Sequence, residues 1–402
     1  MQTHQPGRRV QSRDPVTAVR RFGGPVADEL FVLCRPGDGG ADATRQAETV
    51  YEALREVLAS EGVGRDAVVG ETVFVRHVRD HVDVARSARS RVLGDAGLQP
   101  ATTIIGQPPL DDAADLAVAA IAVVPRSPGS SPMHEVRRAV ACTCAGCAPG
   151  AHARVVRLGD QTSLWTGNVY GSGPTAVEEA YDMFRVAEGL LAAAGMAFGD
   201  VMRTWIHVRD IDRDYDALNE ARRTFFRDRG IARRPASTGV QGIPAPDAHA
   251  FSLNLYGLTS NRPLDAALMS TPSLNEAWSY GADFSRGLRV ADTNKVALYV
   301  SGTASVDEAG RTVHVGDFAA QAERMLHNIA SLLDRQGAGF GNLVSGVAYL
   351  KHPSDAAALR AICRARGFDG FPCMVVEAPL CRPDLLCEAE AVAILPLAAT
   401  RA

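Results

Sequence analysis

Apolar residues recur along this chain with two periods, one typical of helices and one typical of strands. A period near 3.6 residues predicts amphipathic helices over residues 43–61, 176–194 and 318–336, and each ends near a glycine. Short apolar or alternating runs on both sides of each helix predict strands. The order strand, helix, strand, short helix, strand, strand occurs three times, which predicts three copies of one unit.

Positively charged residues mark the register of this repeat. The strand that follows each long helix ends in a cation, at Arg76, Arg209 and Lys351. A second arginine, in a helical context, follows each cation at the same distance. These second arginines are Arg89, Arg222 and Arg364. Because six elements keep one register three times, a tandem repeat is favoured over chance similarity.

Proline, glycine, serine and cysteine cluster between the units and indicate their boundaries. A chain of 402 residues is also too long for one ordinary domain. The predicted division has six parts: a flexible leader at 1–24, unit 1 at 25–126, a Pro/Ser/Cys-rich linker at 127–152, unit 2 at 153–260, a linker at 261–274 and unit 3 at 275–398.

The last strand-like run, residues 378–393, carries most of the candidate chemistry. It contains a thiol at Cys381, a guanidinium at Arg382 and carboxylates at Glu388 and Glu390. A period of two places both glutamates on one face of a strand. If that face is buried, desolvation raises the pKa of a carboxyl group, which suits a general acid. The alternative is an edge strand whose acidic face lies in water.

Composition and charge exclude several classes of protein. Hydrophobic residues make up 46% and charged residues 22% of the chain, with a net charge of −4. These values are typical of a globular protein, and they favour neither nucleic acid nor an anionic membrane as the main partner. No apolar run approaches a membrane span, and the first residues lack the apolar core of a secretory signal. We therefore expect a cytoplasmic protein.

The cysteines suggest free thiols, with one segment that offers metal ligands. Eight cysteines are scattered along the chain without a signal peptide, as in proteins of a reducing compartment. Cys142, Cys144 and Cys147, with His152 nearby, have the ligand types that zinc prefers. Their spacing is compact and no second pair closes a standard finger. The sequence therefore predicts no metal, and this segment is kept as the alternative.

The motifs of the chain resemble a known superfamily. The repeated order of elements, with the strand of Glu388 at its end, resembles the Rid fold (reactive intermediate deaminase, YjgF-like), whose members form homotrimers with ligand sites between subunits. Three tandem copies imply an α+β chain that closes its own pseudo-trimer. Within the superfamily, three stretches are most similar to the chorismatases: residues 203–215, residues 234–239 and residues 381–388.

The resemblance implies a function and a set of site residues. Chorismatases split chorismate into pyruvate and either 3-hydroxybenzoate or a dihydroxycyclohexadiene carboxylate. Their catalytic glutamate matches Glu388, and the cysteine important in 3-hydroxybenzoate-forming members matches Cys381. The expected substrate-binding residues are Arg203, Tyr215, Arg222, Arg234, Ser237 and Arg382. Arginine suits this role because its planar fork binds a carboxylate through two hydrogen bonds.

Some expected roles have structural alternatives. Arg222 has counterparts in the other units, and a repeated feature is often structural. Arg203 has none, because Glu71 and Ser345 occupy its place. Cys381 acts either as a base, as a shaper of the ring pocket or as a small packed hydrophobe. The arginine that Rid deaminases use after the Pro-Ala turn is replaced here, which argues against imine hydrolysis. The residues at that place are Thr102, Ser237 and Met374.

Three hypotheses follow for the whole chain. The first is a cofactor-independent chorismatase, since no glycine-rich phosphate loop opens a helix. The second is another Rid-type hydrolase, lyase or deaminase that acts on a small carboxylated substrate. The third is a non-catalytic protein that binds a metabolite in its clefts. In each case we expect a monomer or a weak homodimer, because a pseudo-trimer has already closed its ring.

Overall fold

The structure is a computed structural model, and it describes residues 15–37, 41–110, 114–127, 133–140, 142, 144, 150–281 and 283–397, with the backbone alone for residues 279 and 280. Within these ranges the chain forms three six-stranded sheets and six α-helices. The predicted fold class, α+β with three tandem units, is confirmed.

The helices and strands follow the repeated order. The first unit contains β1 (Val16–Gly23), β2 (Ala27–Arg35), α1 (Ala43–Ser60), β3 (Val68–Val75), α2 (Val78–Leu93), β4 (Ala101–Gly106) and β5 (Leu116–Pro125). The second contains β6 (Met133–Arg138), β7 (Ala151–Leu158), β8 (Gln161–Gly167), α3 (Ala176–Ala193), β9 (Val201–Val208), α4 (Ile211–Asp228), β10 (Ala236–Gln241), β11 (Ile243–Pro244) and β12 (Phe251–Ser260). The third contains β13 (Asp265–Leu268), β14 (Gly287–Ala291), β15 (Val296–Ala304), α5 (Phe318–Asp334), β16 (Leu343–Leu350), α6 (Ala356–Arg366), β17 (Cys373–Glu377) and β18 (Cys387–Leu395).

The three long helices begin and pack in the same way. Asp42, Thr175 and Asp317 each accept a hydrogen bond from a backbone amide in the first turn of α1, α3 and α5. Such a cap satisfies an amide that the helix itself leaves without a partner. One apolar stripe of each helix is then buried, and these stripes contain Tyr51, Leu54 and Leu58, then Met183, Ala187 and Leu191, then Met325, Ile329 and Leu332.

One strand order is common to all three sheets. It runs β1-β2-β5-β3-β4 in the first sheet, β7-β8-β12-β9-β10 in the second and β14-β15-β18-β16-β17 in the third. The last two strands of each order are parallel, and the shorter helix of the unit supplies the crossover that a parallel pair requires. The sixth strands differ: β11 of the second unit pairs with β4, whereas β6 and β13 extend the other edges.

Three edge strands lie in ranges that the sequence predicts to be leader or linkers. β1 lies within 1–24, β6 within 127–152 and β13 within 261–274. Each is short or charged and pairs with a neighbour on one side only, as edge strands that avoid aggregation do. Their sequences therefore resemble loops. Residues 1–14 of the predicted leader lie outside the described residues.

The last strand differs from its predicted extent and position. It begins only at Cys387, because the run before it contains Pro379 and Pro383, which cannot donate to a ladder. Within the third sheet it lies between β15 and β16, so the edge-strand alternative is wrong. Glu388 and Glu390 are both about 5% exposed and share one face, as the period of two predicts.

The three units contact one another around a small central cavity. Backbone bridges join Ala236 to Ser285 between units 2 and 3, and Pro109 to Val376 between units 1 and 3. β11 joins units 1 and 2. A cavity of about 140 Å³ is lined from all three sheets by residues that include Phe31, Trp165, Trp205, Tyr349 and Glu390. The architecture is therefore a pseudo-trimer within one chain.

A buried ion pair between units 1 and 3 gives a test of this arrangement. Lys295 donates to Glu29, and both side chains are about one-tenth exposed. Lys295→Met leaves the Glu29 carboxylate buried without its cation, so we expect a loss of about 3–5 kcal/mol in the free energy of unfolding. Chemical denaturation measures this loss.

The control is the pair between Asp160 and Arg262, whose side chain is 83% exposed. Arg262→Met is expected to change the free energy of unfolding by less than about 1 kcal/mol. The double variant Glu29→Gln/Lys295→Met should recover part of the loss, because it removes both charges. Equal stabilities of Lys295→Met and the wild type would contradict the contact between the units.

Candidate active site

A cleft of about 400 Å³ lies between the second and third units. Its walls come from α4 and β10 on one side and from β15, β18 and the turn before β18 on the other. This volume is within the usual range for sites that bind small molecules. The cleft brings together six of the residues predicted from the sequence: Tyr215, Arg222, Ser237, Cys381, Arg382 and Glu388.

Glu388 reaches this cleft from the central strand of the third sheet. Burial raises the pKa of its carboxyl group to about 7, and the nearby Glu390 carboxylate acts in the same direction. Arg286, Arg203 and Arg382 oppose the rise. The carboxyl group is therefore partly protonated near neutral pH, as a general acid requires.

Glu390 has a different environment, although it lies on the same face of the same strand. Its Oε2 atom accepts a hydrogen bond from Arg203 at 2.6 Å, and its Oε1 atom accepts one from Trp205 at 2.7 Å. Both donors lie on β9 of the second unit. Two neighbouring carboxyl groups are thus held differently: one is paired with a cation behind the cleft, and the other faces the cleft.

Gly302 at the end of β15 makes room for the Glu388 carboxyl group. A methyl group at this position would overlap the Oε1 atom of Glu388 and would also lie against Thr238. In the second unit the strand registers place Asn168 at the equivalent position, with a φ of 48°. Glycine at position 302 therefore allows β10 of the second unit and the Glu388 carboxyl group to approach β15 closely.

Arginine side chains surround the cleft on several sides. Arg222 donates to Asn219 at 2.6 Å and stacks on Phe284, and it is about 3% exposed. Arg286 donates to the backbone and side chain of Asn275. Arg382 donates to the Gly310 carbonyl at 2.7 Å. These contacts fix the position of each guanidinium group beside the cleft.

The three repeated arginines have diverged in structure. Arg89 pairs with Glu71 at 2.8 Å, Arg222 faces the cleft and Arg364 is exposed. A purely structural residue would keep one role in all three units. The divergence supports a specific role for Arg222 in the second cleft wall.

The Cys381 thiol lies in the cleft beside Tyr215. Burial raises its pKa to about 12, and the nearby Glu388 carboxylate adds to this, whereas a hydrogen bond with Tyr215 acts against it. A thiol with such a pKa is protonated at neutral pH. The environment therefore favours the interpretation in which Cys381 shapes the pocket over the one in which it acts as a base.

Two predicted residues lie outside the lining of the cleft. Arg203 is about 1% exposed and sits behind the cleft against Glu390, with Trp205 under its guanidinium. The sheet registers also place Gly70, not Glu71, at the position equivalent to Arg203. Arg234 pairs with Asp283 at 2.9 Å and stacks on Trp278.

The candidate metal ligands are only partly brought together. Cys142 and Cys144 lie beside His249, whereas His152 lies 3.3 Å from Glu135 in another cleft. Cys147 is outside the described residues. His249 was not apparent from the sequence, because it is separated from the thiols by about a hundred residues and belongs to no spacing motif.

Sequence reasoning missed several residues that line the active-site cleft, and four of them interact with the predicted site residues. They are Asn219, Phe284, Arg286 and Gly302. The repeat gave no signal for Gly302, since the equivalent position of unit 2 is Asn168. The other three belong to no repeated motif, and only the contact between units shows their position.

The fold and cleft have counterparts among known proteins. The Endoribonuclease L-PSP family profile matches residues 279–395. A chorismatase of Streptomyces rapamycinicus is 29% identical over 253 residues, which are 53% of this chain and 73% of that protein. A 3-hydroxybenzoate synthase of Streptomyces hygroscopicus is 27% identical over 224 residues, which are 48% of this chain and 64% of that protein. A chorismatase crystal structure covers 82% of this chain and 94% of its own, with a TM-score of 0.60 and 18% identity.

The three units close on one another, and a cleft large enough for a small ligand lies between units 2 and 3. These features define a Rid-type protein in which the trimer is fused into one chain. Sequence similarity identifies one family within this class of Rid-type proteins. The chain belongs to the chorismatase family, within the Rid superfamily, and is an enzyme of that type. None of the described helices is long and apolar enough to cross a membrane.

Proposed function

We propose that this enzyme splits chorismate into pyruvate and 3-hydroxybenzoate in the cleft between units 2 and 3. One observation carries this proposal. Glu388, a buried carboxyl group with a pKa of about 7, faces a cleft that also contains Arg222, Arg286 and Arg382. The relatives named chorismatase and 3-hydroxybenzoate synthase support this substrate and product.

Glu388 supplies the proton in the proposed first step. Chorismate carries an enolpyruvyl ether, and protonation of its methylene carbon gives an oxocarbenium ion. Water or a neighbouring hydroxyl group attacks this ion, and pyruvate then leaves. Chorismate is converted to pyruvate and 3-hydroxybenzoate without net uptake of water, whereas the dihydroxycyclohexadiene carboxylate takes up one water molecule.

The arginines account for the charge of the substrate. Chorismate has two carboxylates, and a guanidinium binds a carboxylate through two parallel hydrogen bonds. We assign this role to Arg222, Arg286 and Arg382, because their guanidinium groups are already oriented by Asn219, Asn275 and Gly310. Ser237 and Tyr215 add hydroxyl groups to the same cleft.

The Cys381 thiol belongs to the ring end of the cleft in this proposal. Because it is neutral and buried beside Tyr215, it limits the space in which the ring reacts. We also infer a cytoplasmic monomer or weak homodimer, since the three units already close on one another within one chain. Light scattering of the purified protein measures its molar mass and so distinguishes a monomer from a dimer.

Glu388→Gln tests the proposed acid. Purified wild-type protein should convert chorismate to pyruvate and 3-hydroxybenzoate, identified by mass spectrometry and a coupled pyruvate assay. The variant keeps the shape of the side chain but has no acidic proton, so kcat should fall by about 10²–10⁴-fold. Chorismate affinity, measured by calorimetry, should be retained because the arginines are unchanged.

Glu323→Gln on α5 is the control, since this exposed glutamate pairs with Arg366 far from the cleft. Full turnover by Glu388→Gln would overturn the mechanism. Release of a dihydroxycyclohexadiene carboxylate would keep the role of Glu388 and remove Cys381 from the ring chemistry. No consumption of chorismate by the wild type would refute the proposed substrate.

The pH dependence of the reaction gives a second test. An acid with a pKa of about 7 is protonated below that pH and loses its proton above it. We therefore expect kcat/KM to be high in mildly acidic solution and to fall as the pH rises through about 7. A rate that increases across this range would instead indicate a base. The residual rate of Glu388→Gln should lack this dependence.

Gly302→Ala tests the position of the acid without changing its chemistry. The added methyl group overlaps Oε1 of Glu388, so the carboxyl group must move. A displacement of about 1 Å is expected to reduce kcat by about 10²-fold. Gly341→Ala is the control, because a methyl group there meets nothing within 4 Å. Equal rates for the two variants would show that the position of Glu388 is not critical.

A further inference from the structure

A second cluster of reactive side chains lies away from the active-site cleft. The Sγ atoms of Cys142 and Cys144 lie 3.6 and 3.8 Å from the Nε2 atom of His249. All three ligand atoms lie within 4.8 Å of one another. The thiols come from the connection between β6 and β7, and the imidazole comes from the segment before β12.

These distances match the edges of a tetrahedral zinc site. With Zn–S bonds of about 2.3 Å and a Zn–N bond of about 2.0–2.1 Å, a tetrahedral ion holds a sulfur and a nitrogen about 3.6 Å apart. The two observed S···N distances agree with this value to within about 0.2 Å. Two thiolates would also balance the charge of Zn²⁺, so a half-buried site gains no net charge.

The imidazole is oriented as a metal ligand requires. Its Nδ1 atom lies 3.5 Å from Oε1 of Glu179 on α3, and this carboxylate also accepts a hydrogen bond from the Ala250 amide at 2.7 Å. A carboxylate at Nδ1 holds the proton there, so Nε2, which faces the two thiols, has the lone pair that a metal ligand needs. Tyr170 stacks on the ring at 4.5 Å, so the ring cannot rotate freely.

We propose that Cys142, Cys144 and His249 bind one Zn²⁺ ion, which ties the β6–β7 connection to the segment before β12. The site is independent of the proposed reaction, because none of these three ligands lines the cleft of Glu388. It lies beside Tyr170, which stacks on His249 and lines the cleft between units 1 and 2. The ion therefore fixes one wall of that second cleft.

Metal content is the first measurement. The full chain is purified without chelator from cells grown with added zinc. Inductively coupled plasma mass spectrometry should then find about one zinc ion per chain. Cys142→Ser/Cys144→Ser and His249→Ala should each lose most of it. His152→Ala and Cys363→Ser are the controls, because these residues carry the same ligand types elsewhere, and both variants should keep the ion.

Two further measurements decide the result if a variant does not fold. Removal of zinc from the wild type with a chelator should lower its Tm, and added Zn²⁺ should restore it. Substitution with Co²⁺ should give a thiolate-to-cobalt charge-transfer band. Wild-type protein that contains no zinc, gives no such band and keeps its Tm after chelation would overturn the proposal. Loss of zinc from His152→Ala with retention in His249→Ala would also overturn it.

Discussion

The burial of two carboxyl groups on one strand is the constraint on which the site depends. Glu388 and Glu390 are two residues apart on β18, so they must face the same way. Two ionised carboxylates at such buried positions would cost a large desolvation free energy and would repel each other. The protein resolves this by pairing one of them with Arg203 and Trp205 and by raising the pKa of the other.

This arrangement requires the second unit to be in place. Arg203 and Trp205 lie on β9, whereas both glutamates lie on β18 of the third unit. The same contact between units creates the cleft and buries Glu388. This burial is the main cause of the raised pKa of the Glu388 carboxyl group. Assembly of the pseudo-trimer therefore also creates the environment of the proposed acid, and Arg203 takes part by pairing with Glu390 behind the cleft.

Patterns that act within one unit could be read from the sequence. The long helices, their register and the common face of Glu388 and Glu390 all follow from local periodicity. The membership of Glu388, Cys381, Arg222 and Tyr215 in one cleft followed from a family resemblance. What could not be read depends on contacts between units, and Arg286 is the main example. It belongs to no motif, yet the fold brings it to the carboxyl group of Glu388.

Contacts between units also explain what the sequence did not predict about Arg203. It was expected to bind substrate because it lies in a stretch that resembles the chorismatases and has no counterpart in the other two units. The anion that it meets is Glu390, which lies nearly two hundred residues away along the chain. The edge strands β1, β6 and β13 were missed because a strand that pairs on one side has little need for apolar residues.

Fusion of the three units into one chain explains how such a pair can exist. Strand registers place Ala117 and Ser252 at the positions equivalent to Glu388, and Ala119 and Asn254 at those equivalent to Glu390. A homotrimer would repeat each carboxylate and each arginine three times around the central cavity.

In this chain the centre receives one Glu390 and one Arg203, because Gly70 and Ser345 occupy the other places of the arginine. Arg203 therefore pairs with Glu390 at one place only among the described residues, and Glu388 lies in one cleft. The cleft between units 1 and 2 has no such requirement. It holds Arg86, Arg89 and Arg137 beside His152, and Ser252 stands on β12 where β18 has Glu388.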